Sequence, residues 1–170
     1  MRWNDIIGEN ADMDVEAAND AAQRDLVPQM AQAVERLFKL SYPKVPISVK
    51  TSAHGFSATT NGEASGEDYG FSFDRSKTAE HWTAVCGIAV GEYDGRRILE
   101  FYIEDANAGP YKGVWSKIIQ NWSVIAKMKR TRYGATESGL NSGQDYSGGA
   151  WQKLAKDNGL VYMDDEGPVS

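Results

Sequence analysis

Apolar residues recur at helical spacing in the amino-terminal third of the chain. The helical pattern begins at Asp14, and Pro28 falls inside it, where proline would remove a helix hydrogen bond. We therefore predict two helices, with Pro28 near the first turn of the second. Tyr42 and Pro43 end the pattern. The apolar stripe of the second helix comprises Met30, Ala33, Val34, Leu37 and Phe38.

Alternating apolar and polar residues predict strands in the middle of the chain. Residues 45–52 and 81–93 have this pattern, and residues 97–104 have it again. Asp94 and Gly95 lie between the last two of these segments. An Asp-Gly pair in that position is a specific signal for a tight hairpin.

Small polar residues dominate two other stretches of the chain. Residues 53–68, rich in Gly, Ser, Thr and Asn, predict a long turn or a mobile loop, and residues 69–73 predict a short strand. Residues 137–149 predict a second loop, made largely of Gly and Ser.

Helical and strand patterns alternate in the carboxy-terminal part. Residues 115–129 and 150–157 predict helices, whereas residues 131–136 and 160–163 predict strands. The chain ends in an acidic tail, residues 163–170.

The composition is ordinary for a globular protein, with 41% apolar and 25% charged residues. One domain covering residues 1–170 is long enough to bury a core. No apolar run approaches the roughly 18 residues of a membrane span, and no signal-peptide pattern is present, so we expect a cytoplasmic protein that does not contact membranes. Cys86 is the single cysteine, and His54 and His81 lack ligand spacing, so we expect no metal site.

The formal net charge of −6 argues against general nucleic-acid binding. Four cations nevertheless fall within residues 127–132, at the end of a predicted helix. Cations there complement the negative end of the helix dipole, which is the simpler interpretation. A local contact with nucleic acid is the alternative.

The residues before the helix 115–129 resemble a phosphate-binding loop in their chemistry. Lys112 and Gly113 stand between the second hairpin strand and that helix. The first amides of a helix lack intrahelical partners, and the helix dipole favours negative charge there. The loop therefore indicates a phosphate-bearing cofactor, and a plain turn with an exposed lysine is the alternative.

Two carboxylates share one face of the strand 97–104. Glu100 and Glu104 alternate with apolar residues, and a central strand covered on both faces would be apolar throughout. In a cleft, burial would raise the pKa of such a carboxyl and suit it to accept a proton. A strand with one solvated face is the alternative.

The order hairpin, loop, helix, strand, helix, strand over residues 81–163 resembles the carboxy-terminal half of the GNAT superfamily of N-acetyltransferases. Residues 110–115 can be laid on the family's pyrophosphate loop, and residues 151–160 on its last helix and exit. The resemblance implies an α/β fold with a mixed, mainly antiparallel central sheet flanked by helices on both faces. It also implies transfer of an acetyl group from acetyl-CoA to an amine on a small molecule or protein, by direct attack.

The same resemblance implies roles for individual residues. Glu100 is the preferred base, and Glu104 is its alternative. The family's tyrosine acid falls on Ala155, and Tyr146 in the loop 137–149 is the candidate replacement that protonates the departing thiolate. Contacts with acetyl-CoA are implied for Ile103, Lys112, Gly113, Val114, Ser138 and Asn141.

Two departures from the family pattern favour a different function. Trp115 and Ala155 stand where the family has a small residue and often a tyrosine. A non-catalytic binding or assembly component with the same fold would tolerate both, and such components occur in phage virions and host-takeover systems. A third hypothesis is a nucleic-acid-modifying relative that uses residues 127–132.

Overall fold

The computed structural model describes residues 13–62, 80–143 and 149–169, which form an α/β fold of three helices and an open seven-stranded mixed sheet. The helices are α1 (Val15–Ser41), α2 (Val114–Lys129) and α3 (Ala150–Asp157). The strands are β1 (Ser48–Thr51), β2 (Gly55–Thr59), β3 (Thr83–Tyr93), β4 (Arg96–Asn107), β5 (Glu137–Asn141), β6 (Val161–Asp164) and β7 (Gly167–Pro168).

The strands lie in the sheet in the same order as in the sequence. Strands β1 to β4 pair antiparallel, β4, β5 and β6 pair parallel, and β6 and β7 pair antiparallel. The predicted mixed, mainly antiparallel sheet is therefore confirmed. Helices α2 and α3 make the two crossovers between the parallel strands.

Among the described residues, all three helices pack on one face of the sheet. The core that contains their buried side chains also contains Ile88, Leu99, Phe101 and Leu140, which the strand register places on the same face. Helices on both faces were predicted, and the three described helices account for one face only. Right-handed crossovers between strands added in one direction put their helices on the same side.

The predicted hairpin is present between β3 and β4. Asp94 and Gly95 have φ angles of 50° and 76°, the left-handed conformation that a two-residue turn of this type requires. Farther along the pair, Val85 lies opposite Asp105 and Cys86 opposite Ile103. Glu104 is therefore an extra residue on β4, which forms a bulge.

Helix α1 is continuous, so the predicted break at Pro28 is wrong. Asp14 caps the helix by accepting a hydrogen bond from the amide of Ala17 at 2.7 Å. Leu26 and Val27 before the proline, and Met30 after it, are all buried against the sheet. Burial of such side chains contributes roughly 1.5–3 kcal/mol each, which outweighs the cost of about 3 kcal/mol for proline in a helix.

Four other predictions differ from the structure. The stretch 53–68 was predicted as a loop, but β2 lies within it and all five of its residues are buried. The stretch 137–149 begins with β5, and the predicted strand 131–136 is instead a 3₁₀ helix at Arg130–Tyr133. The tail at 163–170 contains the end of β6 and all of β7, which form a hairpin. Tertiary packing decided these short segments, because their own patterns are weak.

The other predicted elements agree closely with the structure. Helices α2 and α3 and strands β1, β3, β4 and β6 match their predicted positions within about three residues at each end. The predicted strand 69–73 lies outside the described residues.

Asp25 joins α1 to the end of α2. Its carboxylate accepts hydrogen bonds from Lys129 at 3.2 Å, from Arg132 at 3.3 Å and from the hydroxyl of Tyr133. Lys127 donates to the carbonyl of Asn158 at 2.7 Å. Three of the four cations within 127–132 therefore bond to the protein itself.

Within the described parts of the chain, no helix has the length and apolar character needed to cross a membrane.

Candidate functional site

The carboxyl ends of the parallel strands β4 and β5 lie side by side, and the loop 108–113 leads from the end of β4 into α2. In α/β sheets, ligands bind beyond the carboxyl ends of parallel strands, where the following helices begin. Gly113 is the N-cap of α2 and has no side chain to bond the first-turn amides. The carboxyl ends of β4 and β5 and the start of α2 therefore form the candidate anion site.

The loop 108–113 is held in place by the end of α1. The hydroxyl of Tyr42 donates to the carbonyl of Lys112 at 2.9 Å. The ring of Tyr111 makes edge contacts with the rings of Tyr42 and Phe38, at centroid distances of 5.0 and 5.5 Å. Lys117, in the first turn of α2, donates to the hydroxyl of Ser41 at 2.9 Å. The predicted phosphate loop thus has a fixed backbone, with Lys112 exposed at its surface.

A groove of about 350 Å³ lies next to this loop, on the helix side of the sheet. Its lining is mostly apolar and comes from the end of β4, the first turn of α2 and the start of α3. The lining residues are Ala106, Asn107, Ala108, Trp115, Ala150, Trp151 and Leu154.

Trp115 stands where the GNAT pattern has a small residue. Its indole is only 8% exposed and stacks on Trp82 with a centroid distance of 5.2 Å. The edge of Trp151 meets it at 5.2 Å. Most of the Trp115 side chain therefore belongs to the core, and one part of it forms a wall of the groove.

The paired part of β4 and β5 is short. The last pair is Tyr102 with Asn141, although β4 continues to Asn107 alongside β3. Ile103, the first residue beyond the last pair, is 3% exposed on the helix side. The edge of β4 that faces β5 thus has no strand partner from Ile103 onward among the described residues.

Glu100 lies on the other face of the sheet, opposite Gly139 and two residues before that last pair. It is only 4% exposed. Its carboxylate accepts a hydrogen bond from the hydroxyl of Tyr93 at 3.1 Å and another from Asn141. Burial raises the pKa of Glu100 above its usual value, while the two hydrogen bonds act in the opposite direction.

The hydrogen bonds of Asn141 fix its orientation. Its side-chain oxygen accepts from the amide of Gly143 at 2.8 Å. The side-chain nitrogen of Asn141 is then the atom that donates to Glu100. Asn141 was predicted to contact acetyl-CoA from a loop, and that contact stays a prediction. It lies at the end of β5, where its side chain meets the candidate base.

Tyr93 was not among the predicted site residues. It is the last residue of β3, and its ring lies over Gly91 on the same strand. The signal that could have revealed it is the run of small residues Gly87, Ala89 and Gly91, which alternates along β3 and marks a face where a neighbouring group approaches closely.

Glu104, the alternative base, has a different environment. It is the bulge residue of β4 and is more exposed than Glu100. Burial and the nearby Asp105 raise the pKa of its carboxyl. Together with Tyr102 and Gln23 it lines a separate cavity of about 330 Å³.

The remaining predicted residues fall into three places. Gly113 and Val114 form the start of α2, and Val114 is completely buried. Ser138 lies on the helix side of β5 opposite Leu99, and its buried hydroxyl has no hydrogen-bond partner among the described residues. Tyr146 lies outside the described residues.

No group of His, Cys, Asp and Glu in the described residues has the arrangement of a metal site.

Comparison with known proteins yields no relative. No protein-family model, curated protein or solved structure matches the chain.

Proposed function

We propose that the protein is an acetyl-CoA-dependent N-acetyltransferase of GNAT-like architecture, which moves an acetyl group to an amine. The observation that carries the proposal is the edge of β4. Its pairing with β5 ends at Tyr102, the loop 108–113 leads from it into α2, and an apolar groove lies beside it.

The cofactor would bind along this edge. The first-turn amides of α2 attract the pyrophosphate, and Lys112 adds a positive charge at the same end. The groove between the end of β4 and the indoles of Trp115 and Trp151 is apolar enough to take the pantetheine arm.

The two faces of the sheet have separate parts in this proposal. The groove lies on the helix side, whereas Glu100 lies on the opposite face. The unpaired edge of β4 beyond Tyr102 offers a passage between them. An acetyl group that passes there reaches the face that carries the candidate base.

The chemistry is direct attack of the amine on the thioester. Glu100 accepts a proton from the amine nitrogen, and that nitrogen forms a bond to the acetyl carbonyl carbon. The carbon–sulfur bond breaks, and the departing thiolate takes a proton, for which Tyr146 is the proposed donor. No covalent enzyme intermediate is needed, because orientation of the two reactants supplies much of the rate.

A non-catalytic binding component is the second candidate. Ala155 stands at the family's tyrosine position and is completely buried in the core. Because alanine has no ionisable group, α3 supplies no acid from that position. The same groove would then hold a ligand or a partner segment without turnover.

Thermal-shift titration with acetyl-CoA tests for the cofactor site, with adenosine 3′,5′-bisphosphate as the control ligand, and an acetyl-transfer assay then separates the two candidates. Ligand at about 100 times its dissociation constant stabilises by roughly 2.7 kcal/mol, which raises Tm by several degrees. We expect the shift to weaken in Lys112→Ala and to persist in Glu100→Gln. Acetyl transfer to a panel of amines should disappear in Glu100→Gln.

Two results would contradict the proposal. The absence of any shift at millimolar acetyl-CoA would remove the cofactor site and favour the non-catalytic candidate. Unchanged turnover in both Glu100→Gln and Glu104→Gln would remove the assigned chemistry.

A further inference from the structure

We infer that Tyr93 is a positioning residue for Glu100, whose hydroxyl holds the carboxylate in the orientation in which it accepts a proton. The catalytic meaning of this role rests on the proposed function. The contact itself does not, because the Tyr93 hydroxyl lies 3.1 Å from a carboxylate oxygen of Glu100.

Two glycines make room for the ring of Tyr93. A Cβ atom added at Gly91 would lie 2.6 Å from the ring, and one added at Gly167 would lie 3.1 Å from it. The ring is therefore held between β3 and the β6–β7 hairpin. Any larger residue at Gly91 would push the hydroxyl away from Glu100.

Among the described residues, the groups that act on Glu100 come from neighbouring strands of the sheet. The hydrogen bonds to its carboxylate come from Tyr93 on β3 and Asn141 on β5. Tyr102 on β4 itself lies within electrostatic reach, and its hydroxyl bonds to Asp165 beyond β6. Glu104 also lies within electrostatic reach of Tyr102.

The two donors oppose the effect of burial on Glu100. Burial raises the pKa of the carboxyl, and each donor stabilises the ionised form. Burial and the carboxylate also raise the pKa of Tyr93 to about 12, so its hydroxyl keeps its proton at neutral pH and remains a donor. Loss of this donor leaves Asn141 as the donor among the described residues, and the pKa of Glu100 must then rise further.

The test is a carboxyl-carbon NMR titration of Glu100, with the signal assigned by its loss in Glu100→Gln. Tyr93→Phe keeps the ring between the two glycines and removes only the hydroxyl. We expect it to raise the pKa of Glu100 by about 1 unit, the size expected for one hydrogen bond to a charged group. Tyr162→Phe is the matched control, because it removes a hydroxyl that bonds to Ser142 at 2.7 Å on the other face. It should leave the pKa of Glu100 unchanged.

Gly91→Ala provides a second route to the same answer should Tyr93→Phe fold poorly. Displacement of the ring should raise the pKa of Glu100 in the same direction. If Glu100 titrates identically in wild type and in whichever of these variants folds, the inference is overturned.

Kinetics then separate the two proposals. In Tyr93→Phe the acidic limb of kcat should move to higher pH by the same amount, with the KM for acetyl-CoA unchanged. If wild type transfers no acetyl group but Tyr93→Phe still raises the pKa of Glu100, the proposed function fails and the contact stands. If the acidic limb of the kcat profile does not move although the pKa of Glu100 is raised, the positioning role of Tyr93 in catalysis is overturned.

Discussion

Gly109, in the turn after β4, shows how one residue fixes the position of the candidate cofactor loop. Its φ angle is 54°, and a Cβ atom added there would lie 2.6 Å from the carbonyl oxygen of His81. Its amide donates to the side chain of Asn107 at 3.0 Å. The loop therefore leaves β4 in close contact with the chain that enters β3.

Gly109→Ala should destabilise the protein by about 2 kcal/mol, because it combines a left-handed conformation with a backbone clash. Gly62→Ala is the matched control, with a φ angle of 75° but open space around the added Cβ. It should cost about 1 kcal/mol, the conformational part alone. Urea unfolding measures both, and equal losses would show that the contact with His81 relaxes freely.

The sequence pattern predicted which carboxylates lie at the site, but not how buried each of them is. Period-two alternation correctly placed Glu100 and Glu104 on the same strand. It could not show that the bulge at Glu104 leaves that residue more exposed while Glu100 is buried, because a bulge has no signature in the pattern. Tyr93 was missed because its partner, Glu100, lies across the hairpin.

Side chains of α1 cover the free edge of β3. Strand β2 pairs with β3 only as far as Gly87. Beyond it, the side chain of Gln23 donates to the carbonyl of Ile88 at 2.9 Å, and the side chain of Asn19 accepts from the amide of Val90 at 2.9 Å. These side chains take the place of a neighbouring strand and block edge-to-edge association.

Gln23→Ala should destabilise the protein by about 1–3 kcal/mol, since it leaves the buried edge carbonyl of Ile88 without its donor. Gln32→Ala, at an exposed position of the same helix, should change stability by less than about 0.5 kcal/mol. Thermal unfolding measures the stability of both variants, and light scattering measures their edge-to-edge association. Equal stability of the two variants would show that the Gln23 bond contributes nothing to the edge.

Elements with strong patterns were predictable, and the weakly patterned strands β2, β5 and β7 were not. The hairpin and both carboxy-terminal helices were predicted because a turn signal or a full apolar stripe marks each of them. Strand β5 reads Glu-Ser-Gly-Leu-Asn and resembles a loop by composition. It becomes a strand because β4 and β6 supply hydrogen bonds on both sides.

At the scale of the whole molecule, Asp25 links the longest helix to the end of α2. Burial alone would raise the pKa of this carboxyl, but bonds from Tyr133 and Lys129 and the charge of Arg132 leave it below its usual value. A carboxyl with a lowered pKa in the folded state adds stability above its unfolded pKa, and that stability is lost as the pH falls.

Asp25→Asn should therefore lower the free energy of unfolding at pH 7 by about 1–2 kcal/mol. The difference from wild type should shrink below about pH 4, where the unfolded carboxyl takes up its proton. Asp20→Asn, an exposed carboxylate on the same helix, is the control and should have little effect. Urea unfolding across pH 3 to 7 provides the test, and a difference that does not change with pH would exclude the ionic contribution.

The order of the strands has a consequence for how the protein is made. Within the described parts of the chain, each strand pairs with the described strands that precede and follow it in the sequence. As the chain leaves the ribosome, β1 to β4 can assemble before β5 is synthesised, and each new strand then adds to the growing edge. No later strand has to insert between two strands that are already paired. Strand β7 at the far edge has two residues, which are too few to recruit another chain.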